Sequence, residues 1–210
     1  MSSLEAILLL GAGGHARACI DVIEQEGRFQ VAGLVGLPEE VGREVLGYPV
    51  LGSDDDLPAL LGQYSAGIVV IGQIKTPVPR MVQFAHLRAR GLCVPVMVSP
   101  RAYVSRHARV GDGSFVLHGA VINASASVGE NCIVNSLSLI EHDVLVDDHC
   151  HIATGARINS GVRIGEGSFI GSGSLIRQGV VIGRNCIIGM GQVVLKDCPD
   201  GTQLPQRRIS

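Results

Sequence analysis

The 210-residue chain has no tryptophan, three tyrosines and four phenylalanines, so aromatic side chains make up only 3% of it. A core built without large rings must be aliphatic, which sets the chain apart from ordinary sandwiches and bundles. An excess of one charge is also missing, because 17 Lys and Arg stand against 19 Asp and Glu for a formal net charge of −2. That balance excludes the electrostatic footprint of a nucleic-acid or anionic-membrane binder and leaves small neutral or anionic ligands. Long hydrophobic runs are lacking too. Stretches such as Ala6 to Leu10 and Ile68 to Ile71 fall far below the roughly 18–20 residues of a membrane span. Six cysteines include no CxxC pair, and nothing at the amino terminus reads as a signal peptide, so the expected setting is reducing and cytoplasmic.

What the chain has in quantity is aliphatic residues, 28 glycines and a repeat. From Val98 to Val194, every sixth residue is Val or Ile. Four places after each, the side chain is small, as in Ala102, Ser114, Cys132, Cys150, Ser168 and Cys186, with Gln192 the exception. No helix has a period of six. An aliphatic residue followed by a small one in a six-residue unit is the signature of a parallel β-helix, in which three units close one coil of eighteen. Each aliphatic residue then packs on the one eighteen positions away, and a ladder forms that no single coil could bury alone. Cys132, Cys150, Cys186 and Cys198 fall in the small-residue phase and read as small core hydrophobes.

The first hundred residues follow a different pattern. Ala6–Leu10 is a short strand running into Gly11-Ala12-Gly13-Gly14-His15, and Ala16 to Gln25 continues as a helix. Val31–Val35 and Ile68–Ile71 read as buried strands, and Leu57–Leu61 and Val78–Arg90 as helices. The expected fold class is α/β plus all-β. It comprises a small Rossmann-like parallel α/β domain over 1–97, a β-helix of hexapeptide repeats over 98–199, and an irregular tail over 200–210.

Gly11 to Ala16 fits the dinucleotide fingerprint, after a strand and before a helix, where free backbone N–H groups favour a phosphate. The acidic residue that should hold a ribose hydroxyl about twenty residues on is absent, because the chain offers Gly33-Leu34-Val35-Gly36 there. NAD, another phosphate-bearing ligand such as a nucleotide sugar, and a purely structural turn are the three readings of the motif. His15 is either a ligand contact or a solvated first-turn residue. The solenoid histidines His107, His118, His142, His149 and His151 are never separated by a multiple of eighteen, so no stacked metal site is expected. The denser cluster is Glu141-His142-Asp143 with His149 and His151. A histidine held at one ring nitrogen by a carboxylate is a useful base at the other, and the alternative is a solvated turn.

Gly11-Ala12-Gly13-Gly14-His15-Ala16-Arg17, Val134-Asn135-Ser136, Ile140-Glu141-His142-Asp143 and the unbroken hexapeptides together resemble the bacterial sialic-acid O-acetyltransferase and nucleotide-amino-sugar N-acetyltransferase family. The resemblance covers nearly the whole chain. It implies a left-handed β-helix, a homotrimer, acetyl-CoA as co-substrate between neighbouring subunits, and no metal. It further implies His142 as general base and Asp143 as the carboxylate that orients it. His151, Ser172 and Met190 fall at acetyl-CoA contacts, Asn135 near the acetyl group, and Gly13, Gly14, His15 and Gly72 at the sugar nucleotide. The chain departs from the family at Val35-Gly36, where relatives carry an acidic pair, and at Gln73-Ile74, where they carry Asp-Asn or Asn-Asn. The family's carboxy-terminal motif survives only as Gln203-Leu204-Pro205-Gln206-Arg207.

The expected function is acetyl transfer from acetyl-CoA to the amino group of a nucleotide-linked amino sugar, in the synthesis of a polysaccharide or related glycan. O-acetylation of sialic acid or another sugar uses the same apparatus and is the first alternative. A non-catalytic trimeric scaffold or sugar-nucleotide sensor is the second.

Overall fold

The computed structural model describes residues 4–205 and divides them into two compact units. The first is built from the chain up to Gly72 together with Val78–Met97, and the second from Gln73–Pro77 together with the chain from Val98 onward.

In the first unit, strand β1 (Glu5–Leu10) leads into helix α1 (Gly14–Glu26), then β2 (Phe29–Val35), the hairpin β3 (Glu44–Val45) and β4 (Tyr48–Gly52), the single turn α2 (Leu57–Leu60), β5 (Ala66–Val69) and α3 (Val78–Ala89). Ile7 to Leu10 are buried, as a continuous aliphatic run in a parallel sheet covered on both faces must be. The sheet order is β3-β4-β2-β1-β5. Neighbours pair in parallel except β3 and β4, whose antiparallel turn places Leu46 and Gly47 at positive φ. That hairpin interrupts the expected all-parallel sheet. Helix α1 buries Ala16, Cys19, Ile20 and Ile23 at helical spacing and ends at left-handed Gly27, whose N–H donates to the Ile23 carbonyl.

The second unit is a left-handed parallel β-helix. Two-residue strands recur every six residues and pair with those eighteen away, as Val121 with Leu139 and Leu139 with Arg157. Three parallel sheets result, and the Val/Ile row fills the space between them, with Ile122, Ile140, Ile158 and Ile176 all fully buried. At every sixth residue from Gly113 to Gly191 the backbone turns through positive φ, and that place is held by Ser125, Asn131, Leu137, Asp143, His149 and Asn185 as well as by glycine. Asp143 at φ 60 therefore occupies a strained corner position that glycine would fill without cost.

The small-residue row does more than fill space. Ser114, Ser168 and Ser174 donate from Oγ to carbonyls fifteen residues ahead, and the thiols of Cys132 and Cys150 make the same contact to Asp147 and Gly165 at 3.2 Å. These cysteines satisfy part-buried corner carbonyls as the serines do, a role that plain small hydrophobes would not have. Past Val194 the last coil is two residues short: Cys198 bridges to Ile182, and Gln203–Leu204 forms a strand on Ile187–Ile188. The expected irregular tail is thus corrected up to Pro205, and residues 206–210 lie outside those described.

Candidate active site

His142 and Asp143 sit together on a corner of the solenoid, with side chains 58% and 64% exposed. His142 Nδ1 lies 2.8 Å from Asp143 Oδ2. A carboxylate only accepts, so Nδ1 carries a proton, and in the neutral imidazole Nε2 keeps its lone pair. Ser160, one coil on, places its hydroxyl 2.8 Å from that lone pair. Glu141 is tied down by Asn123, whose Nδ2 donates to Glu141 Oε2 at 3.0 Å, and the same oxygen accepts from the His142 N–H at 3.3 Å. The corner therefore presents an oriented imidazole, with its basic nitrogen within reach of solvent.

Asn135 and His151 form a second pair, 3.1 Å apart from Nδ2 to Nε2. His151 is buried, and its Nδ1 donates to the Gln73 carbonyl at 2.6 Å. The neutral Nδ1–H tautomer follows, with Nε2 accepting from Asn135. Asn135 Oδ1 in turn accepts from the Ser136 N–H at 2.7 Å, so its amide is held at both ends. The ring of Phe169 meets His151 edge-on at 5.2 Å between centroids. Both ring nitrogens of His151 are thus engaged within the chain.

Ser172 and Met190 stack one coil apart, joined by the Gly191 N–H to the Ser172 carbonyl at 2.9 Å, on the same edge of the solenoid as Asn135. His142 belongs to the next edge, separated from Asn135 by the strand Leu139–Ile140. Within one chain, then, the structure joins His142 to Asp143 and Asn135 to His151, and sets the two pairs on different edges.

In the first unit, Gly13, Gly14, His15 and Gly72 line one cavity of about 580 Å³ at the carboxyl ends of the strands. No side chain caps α1 at Gly13, and its first turn holds no acidic residue, so the helix entrance keeps its attraction for a phosphate. A Cβ on Gly11 would stand 2.6 Å from Ile71 Cγ1, and Gly11 adopts φ 119, so only glycine fits this turn. Gly72 packs on His15: a Cβ there would meet the His15 Cβ at 3.3 Å. Glu40, Asp54 and Gln83 also line the cavity, and Gln83 Nε2 donates to Asp54 Oδ1 at 2.8 Å.

Sequence reasoning singled out neither Ser160 nor Glu40 nor the Gln73 carbonyl. Ser160 carried a usable signal, since residues eighteen apart stack and His142 plus eighteen is 160. Among the described residues, no cluster of three or more His, Cys, Asp or Glu is placed to hold a metal, and no helix is long and apolar enough to cross a membrane.

Residues 6–76 match the model of the PglD N-terminal domain, and residues 161–196 match the hexapeptide repeat of succinyl-transferase. No curated protein matches the chain in sequence. Among solved structures, a His-to-Asn variant of perosamine N-acetyltransferase from Caulobacter crescentus, in complex with CoA and GDP-perosamine, is 33% identical over 96% of this chain and 93% of its own, with a TM-score of 0.89. The acetyltransferase domain of PglB from Neisseria gonorrhoeae FA1090, in complex with acetyl coenzyme A, is 31% identical over 96% of each chain, with a TM-score of 0.86. WeeI from Acinetobacter baumannii AYE, at 22% identity over 96% of each chain and a TM-score of 0.84, shares the fold. The chain belongs to the hexapeptide-repeat family of these perosamine and PglB acetyltransferases and is an acyltransferase.

Proposed function

We propose that the chain transfers an acetyl group from acetyl-CoA to the amine of a nucleotide-linked amino sugar, with His142 as general base. The observation that carries this reading is the His142–Asp143 contact, which commits Nδ1 to the carboxylate and leaves Nε2 as the basic nitrogen. In the proposed step the neutral amine attacks the thioester carbonyl. His142 Nε2 takes the proton from nitrogen, the carbon–sulfur bond breaks, and CoA leaves as a thiolate that is then protonated. Asp143 stabilises the imidazolium as it forms. A thioester is already activated, so orientation and one base suffice without an acyl-enzyme.

Asn135, whose amide is fixed by His151 and Ser136, is assigned to the acetyl group, and the edge carrying Ser172 and Met190 to the pantetheine arm. His151 acts on acetyl-CoA through Asn135 in this scheme. Gly13, Gly14, His15 and Gly72 are assigned to the sugar nucleotide. Support comes from the cavity they line and from relatives solved with CoA, acetyl coenzyme A and GDP-perosamine.

The assembly proposed is a homotrimer. Because His142 and Asn135 lie on different edges of one solenoid, an edge of one subunit set beside a different edge of the next would complete the site. The face between those edges presents Tyr103, Leu175 and Val193, each at least 38% exposed, with Arg157 beside Leu175 in the same row, and a largely apolar surface of this kind calls for cover. The test is incubation with acetyl-CoA and a panel of GDP-, UDP- and dTDP-linked 4-amino sugars plus sialic acid. An N-acetylated nucleotide sugar is expected; product from sialic acid alone would move the reading to O-acetylation, and no product from any acceptor would contradict it.

A further inference from the structure

The second strand of the first unit ends at Val35 with no acid, although an open α/β nucleotide site ordinarily places a carboxylate there to hold ribose hydroxyls. The structure supplies one from elsewhere. After Gly36 the chain makes a short 3-10 turn, Pro38–Glu40, which folds the Glu40 side chain back so that Oε2 accepts from the Leu37 N–H at 2.8 Å. A Cβ built on Gly36 would stand 2.7 Å from that same Oε2. The carboxylate of Glu40 therefore occupies the space that an acidic side chain at position 36 would fill, and it does so on the wall of the cavity shared with Gly13, Gly14 and His15.

We infer that Glu40 replaces the missing strand-end acid and holds the ribose hydroxyls of the nucleotide carrier. This rests on the reading of the cavity as the sugar-nucleotide site. Gly36 is part of the same device: a side chain there would meet the Glu40 carboxylate, the Ala12 Cβ at 2.9 Å and Val50 Cγ1 at 3.1 Å, so glycine keeps the place open for Glu40. A carboxylate has about four lone-pair positions, and the bond from Leu37 fixes one oxygen while leaving capacity for a diol. The phosphate-favouring turn at Gly13–Gly14 and a ribose-binding carboxylate in the same cavity make a site for a ribonucleoside diphosphate. The carboxylate selects the sugar of that carrier and leaves its base to other walls.

Titration calorimetry with GDP and UDP, each beside its 2′,3′-dideoxy counterpart, tests the inference on the full chain. The parent protein is expected to favour the ribonucleotides by about tenfold or more, the scale of hydrogen bonds to a charged group. Glu40→Gln should remove most of that preference and leave the dideoxy affinities unchanged. Gly36→Ala should act similarly by displacing the carboxylate without removing it. If Glu40→Gln binds both series as the parent does, the inference is overturned while the nucleotide site stands. If the parent binds none of the four, both fall together.

Discussion

The hydroxyl of Ser160 lies 2.8 Å from His142 Nε2, one coil beyond it. Because Nδ1 is committed to Asp143, this hydroxyl donates into the one lone pair the proposed base has to offer. An incoming amine must displace it. Ser160→Ala should therefore raise kcat/KM for the acceptor, by up to roughly tenfold, the worth of one neutral hydrogen bond. Steady-state kinetics check this, and a loss beyond tenfold would mean that Ser160 acts in the transfer itself.

The β-helix was legible because its signal repeats: a Val or Ile every sixth residue from Val98 to Val194 admits no other period, and the strands pair at eighteen throughout the regular coils. His142 with Asp143 was legible because the pair is contiguous. The contacts that remained hidden depend on segments meeting in space. Nothing near Gln73 announces that its carbonyl fixes the tautomer of His151, and Glu40 replaces an acid at position 36 only because a 3-10 turn folds it back. The turns at Leu46-Gly47 and the shortened last coil likewise lack the period on which the rest of the reading depended.

The two histidines should separate in stability. His151 is buried and joins Gln73 to Asn135, so His151→Ala leaves a buried carbonyl without its donor and should cost about 1–3 kcal/mol. His142 is exposed, and its removal should change stability by less than about 0.5 kcal/mol. Denaturant melts of both variants provide the measurement, and equal losses would contradict the distinct roles assigned to them.

Burial pushes the Cys19 thiol up, with Arg80 pulling in the other direction, and burial beside Cys132 pushes Cys150 up. A folded thiol that keeps its proton while the unfolded chain releases it near the ordinary value of 9.0 makes stability fall as pH rises past that value. Thermal melts from pH 7 to 10 should show this decline, shallower in Cys19→Ala. Cys93 is exposed and should be the first thiol modified by an alkylating reagent, as peptide mapping after brief treatment would reveal.

Leu175 stands 38% exposed on the largely apolar face proposed to lie between subunits. Leu175→Glu should reduce the mass seen by light scattering from trimer to monomer and abolish transfer together. A monomeric parent with full activity would remove the shared site.

The central claim is that His142 is the base, and free thiol released from acetyl-CoA measures it most directly. Parent protein and His142→Ala are compared at saturating acetyl-CoA with whichever amino-sugar nucleotide the parent acetylates. A kcat about 10²- to 10⁴-fold lower is expected in the variant, the usual worth of a positioned general base. Thiol release by His142→Ala at the parent's rate would contradict it.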